Sequence, residues 1–298
     1  MKWTRRDIIK GLGGLPLVGG IWWAGSTSSV TDSKKRTEIL EQLNIQPSIP
    51  VSVPPVEGDP IRLGIIGFGI RGEQLCRSLG YATKEWLEDM RKANENNPEH
   101  TALSDFKNQE KLNIKLIAVC DIFDHMAQRA VDSFSTDTHK IKRFGSHQEM
   151  IDSGEVDAII IATPDHWHAP MAIYALDRGV HVYVEKPMTH TVEETYMLKE
   201  AVERSTAKLQ VGHQHRQTQS FRTAQDVIAK GTLGHVSIVQ TNTNRNDDNG
   251  AWNYHIYKEA NEQTIDWEQF LGTAPKIPFN KNPVSYTHLR AHETRAFI

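Results

Sequence analysis

The stretch Ile61 to Gly72, IRLGIIGFGIRG, is built to hold a pyrophosphate on bare backbone. A short apolar run stops at a glycine and GxGxxG follows it. Gly67 permits a tight turn out of a strand, Gly69 lets the main chain approach the phosphates, and Gly72 lets the next helix pack close, with its N-terminal dipole facing the anion. A second apolar run, IKLIAVCD, ends in Asp121. A carboxylate there would accept hydrogen bonds from the ribose hydroxyls of an adenosine and repel a 2′-phosphate, which favours NAD and leaves NADP as the alternative. The acidic residue of this fingerprint ordinarily follows the glycines by about 20 positions, whereas Asp121 follows Gly72 by 49. An insertion over Thr83 to Gln109 accounts for the excess, with Trp86, Leu87 and Met90 on an extension of the first helix and Asn94 to His100 as a polar loop. The competing reading of Asp121 is a cap on the turn that follows it.

Elements of a particular kind must position these residues. From Ile61 onward apolar runs of strand length alternate with helical stretches, which predicts an α/β fold: a Rossmann-type doubly wound parallel sheet, followed by the start of an α+β domain with an open-faced sheet. The expected strands are Ile61 to Gly67, Ile114 to Cys120, Ala158 to Ala162, Val180 to Val184 and Lys208 to Gly212, all apolar enough for burial on both faces. A length of 298 residues, 38% apolar and 24% charged, suffices for one large or two ordinary domains. A net charge of -3 without a long basic run argues against nucleic acid as a partner. Cys76 and Cys120 lack a CxxC partner and read as buried thiols.

Two loops at the carboxyl ends of later strands carry further polar residues: Ala162 to His168, ATPDHWH, and Val184 to Pro187, VEKP. In an open parallel sheet ligands bind outside those ends, so both loops should reach one crevice. Together with GFGIRG, they make the chain from Ile61 to about Phe279 resemble the glucose-fructose oxidoreductase, inositol dehydrogenase and MocA (Gfo/Idh/MocA) family. The resemblance implies that Gly67, Phe68, Gly69, Ile70 and Arg71 lie beside the pyrophosphate and Asp121 at the ribose. It implies that Thr163, Pro164 and His168 line the cofactor cleft. Glu185, Lys186 and Pro187 would form the signature turn, with Lys186 reaching the nicotinamide ribose and the substrate hydroxyl. In GHQHRQ, Gly212 to Gln217, it implies that Arg216 faces the substrate, with His213 and His215 beside it.

Hydride transfer from a carbinol carbon to a nicotinamide requires a base for the hydroxyl proton, and a partly desolvated lysine beside a cationic ring suits that task. The alternative for Lys186 is a structural ion pair. The HxH spacings His166/His168 and His213/His215 raise a metal hypothesis, but no matching carboxylate cluster accompanies them, and no metal is expected. The absence of GxSxG, Walker and HExxH motifs weighs against serine hydrolase, nucleotide hydrolase and zincin readings.

The ends of the chain read differently. Thr4 to Lys10, TRRDIIK, precedes a glycine-rich, mildly apolar run to Gly25, and resembles a twin-arginine export signal over residues 1–29. Such a route passes folded proteins, consistent with a nucleotide captured before export to the periplasm or to a membrane-anchored position facing it. Residues 30–60 form a polar, then Pro-rich arm. The nucleotide domain spans 61–212, and 213–283 begins a substrate domain, with a helix over Gln219 to Lys230 and a strand over Val236 to Thr243. Trp252 to Tyr257, WNYHIY, suits sugar stacking or a loop pinned to its own core. Thr264 to Phe279, TIDWEQFLGTAPKIPF, resembles a segment of exported family members. Val284 to Thr294, VSYTHLRAHET, reads as translated sequencing adapter, so 284–298 are expected to be artefact and the natural sequence to break off near Asn282. The family's aspartate and histidine on a later helix are not found before that point, and a bare edge on strand 236–243 is expected to lower solubility. A homo-oligomer through the second-domain sheet is one further expectation.

The leading functional expectation is an NAD-dependent oxidoreductase acting on a sugar or polyol. One alternative is a glycosidase that uses NAD for transient oxidation and elimination. Another is a non-catalytic sugar or nucleotide sensor on the same fold.

Overall fold

The computed structural model describes residues 58–214, 216, 218–240 and 256–280, together with 38, 41 and 42. The expected export signal, most of the Pro-rich arm, WNYH of the aromatic stretch and residues 284–298 lie outside the described residues. Six parallel strands form one sheet in the order β3-β2-β1-β4-β5-β6. They are β1 (Ile61–Ile66), β2 (Ile114–Cys120), β3 (Lys142–Phe144), β4 (Ala158–Ile161), β5 (His181–Glu185) and β6 (Leu209–Gly212). In this order the winding reverses between β1 and β4, so a crevice opens at the carboxyl ends of those two strands.

Five of the six strands follow from continuous apolar runs. Ile65, Ile159 and Ile161 are fully buried, each contributing about 1.5–3 kcal/mol by leaving water. One core layer centres on Ile66, Met150, Ile161, Leu176 and Val184, the other on Ile65, Phe68, Leu116, Val119 and Phe134. Strand β3 escapes sequence reading because it is only Lys-Arg-Phe, with its two cations exposed. It is an edge strand, and charge on an edge blocks pairing with other chains.

The insertion differs from its expected form. Helix α1 (Ile70–Ser78) stops before Gly80, whose φ of +93° no helix can continue through. A separate helix α2 (Lys84–Asn96) then starts at Thr83, whose hydroxyl accepts from Trp86 N at 3.2 Å, and α3 (Ala102–Asn108) follows. Trp86 meets Phe106 edge-on at 5.3 Å and lies under the Arg77 guanidinium at 4.7 Å. The insertion is thus a helical pair folded back on the end of α1, not an extension of it.

Helices α4 (Asp124–Phe134), α5 (His147–Asp152), α6 (His168–Leu176) and α7 (Val192–Arg204) complete the layers. Thr191 and Glu194 form a capping box at the start of α7. Both cysteines are free, and burial pushes each thiol up to about 12.

The chain divides into two compact units, with the break after Gly212 and a return to the nucleotide unit at Tyr254. In the other unit α8 (Gln219–Ala229) buries Ser220, Thr223 and Val227. The strand expected from Val236 is not formed over 236–240, where Ile238 and Val239 are 83% and 80% exposed. Alternation permits a strand but does not supply the neighbour its backbone must pair with.

His147 opens α5, is 4% exposed, and meets the rings of Trp167 and Tyr174 edge-on at 5.5 and 5.6 Å. Burial lowers its pKa from 6.5 to about 4, against a smaller opposing pull from Asp152. The folded protein therefore keeps His147 neutral where the unfolded chain takes up a proton. Its contribution is intact above pH 6.5 and lost as pH falls toward 4, by an amount on the order of 3 kcal/mol. Urea unfolding of wild type and His147→Gln at several pH values should show a shallower loss of stability for the variant in that window.

Candidate functional site

The glycine turn leaves β1 with Gly67 at φ +86°, its amide donating to Cys120 O at 2.9 Å. A Cβ at Gly67 would lie 2.7 Å from Ala162 O, and one at Gly72 would lie 2.0 Å from Gly67 O. These two glycines let backbone meet backbone. Gly69 is different: a Cβ there would meet nothing within 4 Å. It caps α1 with no side-chain hydrogen bond, and helix geometry leaves the first-turn amides without intrahelical acceptors. Open space above a helix N-terminus is what a dinucleotide pyrophosphate requires, so these residues fit the cofactor that the sequence implies. Ile70, 57% exposed, borders the turn.

The side chain of Phe68 does not line the cleft. It is fully buried, edge-on to Phe134 at 5.4 Å, because the turn needs an apolar anchor on the core side. Its amide donates to Asp121 Oδ2 at 2.6 Å, while Asp121 Oδ1 accepts from Phe123 N at 2.9 Å. Asp121 therefore caps its own turn and also clasps the glycine turn. Burial pushes the carboxyl up from its ordinary value, and the amides of Phe123 and Phe68, then Arg143, pull it down. A carboxylate has about four acceptor positions, so two remain for ribose hydroxyls.

Arg71 and Glu185 form a brace that the sequence does not reveal. The guanidinium puts Nε and Nη2 each 2.7 Å from Glu185 Oε1 and donates to Gln74 Oε1 at 3.2 Å. Glu185 is 4% exposed and also accepts from the Lys186 amide at 3.2 Å. Its carboxylate is thus engaged by the Arg71 side chain and by the backbone of its own turn. Tyr183 OH lies 3.4 Å from the same carboxylate, and burial followed by that negative charge pushes the phenol up. A Cβ on Gly212 would come within 2.4 Å of Tyr183 OH. The only available sequence signal was an arginine inside GxGxxG and a glutamate before Lys-Pro.

His168 also departs from its expected place on the cleft wall. It is 2% exposed, with Nδ1 2.5 Å from Pro187 O and Nε2 2.8 Å from Thr163 O. It ties the loop after β4 to the turn after β5, beneath the crevice. The Lys186–Pro187 peptide is cis. Thr163 and Pro164 are half-buried. Lys186 is exposed, not partly desolvated, and no described carboxylate forms an ion pair with it, since Glu185 is paired with Arg71. The HxH residues diverge, with His166 Nε2 2.8 Å from Phe270 O. His213 and Arg216 are exposed residues of the other unit, and His215 lies outside the described residues.

Residues 61–213 match the model of the GFO_IDH_MocA oxidoreductase family, NAD-binding Rossmann fold. The chain belongs to this Gfo/Idh/MocA family. A glycosyl hydrolase family 109 protein of Shewanella baltica is 29% identical over 162 residues, covering 49% of this chain and 27% of the relative. An alpha-N-acetylgalactosaminidase of Shewanella oneidensis is 33% identical over 160 residues, covering 49% of this chain and 26% of the relative. The chain thus matches about a quarter of the length of these curated relatives. Among solved structures, scyllo-inositol dehydrogenase of Lactobacillus casei with bound NAD(H) and scyllo-inositol is similar at 20% identity and TM-score 0.44, covering 59% of this chain and 43% of that one. Myo-inositol 2-dehydrogenase of Lactobacillus plantarum is similar at 24% identity and TM-score 0.45, with the same coverage. The nucleotide domain of this Gfo/Idh/MocA protein is an NAD-binding Rossmann domain.

The two kinds of glycine should separate by experiment. Gly69→Ala meets open space and should leave thermal unfolding unchanged while abolishing NAD binding measured by calorimetry. Gly72→Ala forces α1 off the turn and should lose NAD binding together with about 1–3 kcal/mol of stability.

Proposed function

We propose that this protein is an NAD(P)-dependent oxidoreductase that transfers hydride between a sugar or polyol carbinol and the nicotinamide. The observation that carries this reading is Lys186: exposed at the carboxyl end of β5, with its neighbour Glu185 held by Arg71 and not by the lysine's own ammonium. A bound nicotinamide supplies the hydride acceptor. The chain's own residues do the rest. The first-turn amides of α1 and the glycine turn bind the diphosphate, and Asp121 offers its remaining lone pairs to the ribose. Thr163 and Pro164 border the crevice, and His168 sets the distance between that loop and the Lys186 turn. Lys186 would hold the substrate hydroxyl and, where a bound nicotinamide and substrate desolvate it enough to release its own proton, would take the hydroxyl proton as the carbinol carbon gives up hydride, so that one hydride and one proton leave the alcohol.

A second reading has a specific observation behind it. The curated relatives carry the names of a glycosyl hydrolase family and of an alpha-N-acetylgalactosaminidase, which supports a glycosidase in which the sugar would be oxidised transiently, lose its substituent by elimination, add water in its place and be reduced again by the same cofactor. Both readings share Lys186 and a captive NAD. They part on stoichiometry. A dehydrogenase should form NADH in proportion to the sugar or polyol consumed. A redox-assisted glycosidase should release nitrophenol from a nitrophenyl N-acetylgalactosaminide without added NAD and without net NADH. Lys186→Ala should abolish whichever turnover the wild type shows, and a variant that retains it would overturn the assignment of the base.

The paired Arg5 and Arg6 ahead of a glycine-rich apolar run support export by the twin-arginine machinery, with the cofactor already bound. Cell fractionation should find the protein outside the cytoplasm, and replacement of both arginines by lysine should leave it inside.

A further inference from the structure

The segment 256–280 groups by sequence with the second domain, yet it is anchored to the nucleotide domain at the exits of three strands. At β2, Phe123 and Ile265 form an antiparallel bridge, flanked by Asp124 N donating to Thr264 O at 2.8 Å and Asp266 N donating to Ile122 O at 2.9 Å. At β3, Gln269 Nε2 donates to Gly145 O at 3.0 Å. At β4, Trp167 Nε1 donates to Gln269 O at 2.8 Å. The attachment is packed as well as hydrogen-bonded. Ile265, 2% exposed, joins Phe123, Met126 and Ala260 in a small core of its own. Gly272, at φ +59°, admits the Trp167 ring so closely that a Cβ would lie 2.8 Å from it. The sheet order β3-β2-β1-β4 puts these anchors on both sides of β1, whose exit is the glycine turn.

We propose that this segment is a strap that forms part of the nucleotide site, positioning Asp121 and through it the glycine turn, and so governs affinity for the adenosine end of the cofactor. The contacts run in an unbroken series. The bridge to Ile265 fixes Phe123, the Phe123 amide holds Asp121 Oδ1 at 2.9 Å, and Asp121 Oδ2 holds the Phe68 amide at 2.6 Å. With Phe123 loose, the carboxylate loses one of its two donors and is free to rotate away from the other. The turn then loses the acceptor that sets it. That series does not include Lys186 or the turn after β5, which the strap reaches only indirectly through Trp167 and His168, so the adenosine end should weaken more than the nicotinamide end. Ile265 and Gln269 act here as positioning residues. The proposal rests on the crevice being an NAD site.

The test uses the full chain, titrated with NAD, ADP and nicotinamide mononucleotide, with NADH release followed by stopped-flow displacement. Ile265→Asp, which puts a charge into the strap's buried contact, should weaken ADP and NAD about tenfold and speed NADH release to match, with the mononucleotide weakened much less. Ile265→Val should stay within about twofold of wild type. Gln269→Ala, which removes one anchor without touching the small core, should shift ADP the same way by less, and it decides the matter if Ile265→Asp does not fold. Equal weakening of ADP and the mononucleotide, or wild-type ADP binding in both disruptive variants, would make the segment mere packing and overturn the proposal. Wild-type protein that binds neither NAD nor ADP would instead overturn the nucleotide reading beneath it.

Discussion

The Asp121 carboxylate stands between two backbone amides that belong to different loops, and its desolvation makes both bonds obligatory. Burial raises the pKa of the acid, and the amides of Phe123 and Phe68 offset that cost only while both are in place. The exit of β2 and the turn after β1 therefore cannot move independently. Phe68 adds a second restraint, because its ring is locked in the core beneath the turn it helps to form. A loop rich in glycine, which chain entropy alone would leave loose, is held in one shape by the Gly67–Cys120 backbone bond together with one charge and one ring.

A second charge performs the equivalent task on the other side of the crevice. Glu185 is buried at the end of β5 and is met by Arg71 from the first turn of α1. Arg71 is 32% exposed, so loss of Glu185 leaves a charge that water can reach, whereas loss of Arg71 takes a cation away from a buried carboxylate, the costlier of the two changes. The pair thus couples the helix that faces the phosphates to the turn that carries Lys186. His168 couples that same turn to the loop after β4. Three side chains expected at the cleft surface, those of Phe68, Glu185 and His168, lie beneath it. They shape the wall through backbone groups and neighbouring residues.

Much of this fold was legible in one dimension. Runs such as IRLGII and IKLIAVC, short and rich in β-branched residues, favour strands with buried faces, and the helical stretches between them favour parallel pairing. Gly67 and Gly72 announce the turn because a side chain at either would strike backbone, Gly69 because its open space suits a phosphate, and Asp121 because it stands at the ribose position of the same motif. Strand β3 was illegible, since three residues with two cations carry no periodic signal. So was the break at Gly80, where one glycine converts an expected helix extension into a folded-back pair. The strand expected over 236–243 illustrates the opposite failure, an alternating pattern whose described part, 236–240, is not paired.

Local chemistry along the chain decided which residues turn, which run straight, and which could face a phosphate, because backbone stereochemistry and hydrophobic burial act over a few neighbours at a time. Partnership was decided elsewhere. That Arg71 would answer Glu185, 114 positions away, that His168 would reach two carbonyls from under the crevice, and that the segment around Ile265 would settle on the exits of β2, β3 and β4 are consequences of where the sheet puts its strand ends. Desolvation then enforces these pairings, since a buried charge or amide must find its partner in space, and spatial neighbours are set by the order β3-β2-β1-β4-β5-β6 and not by position along the chain.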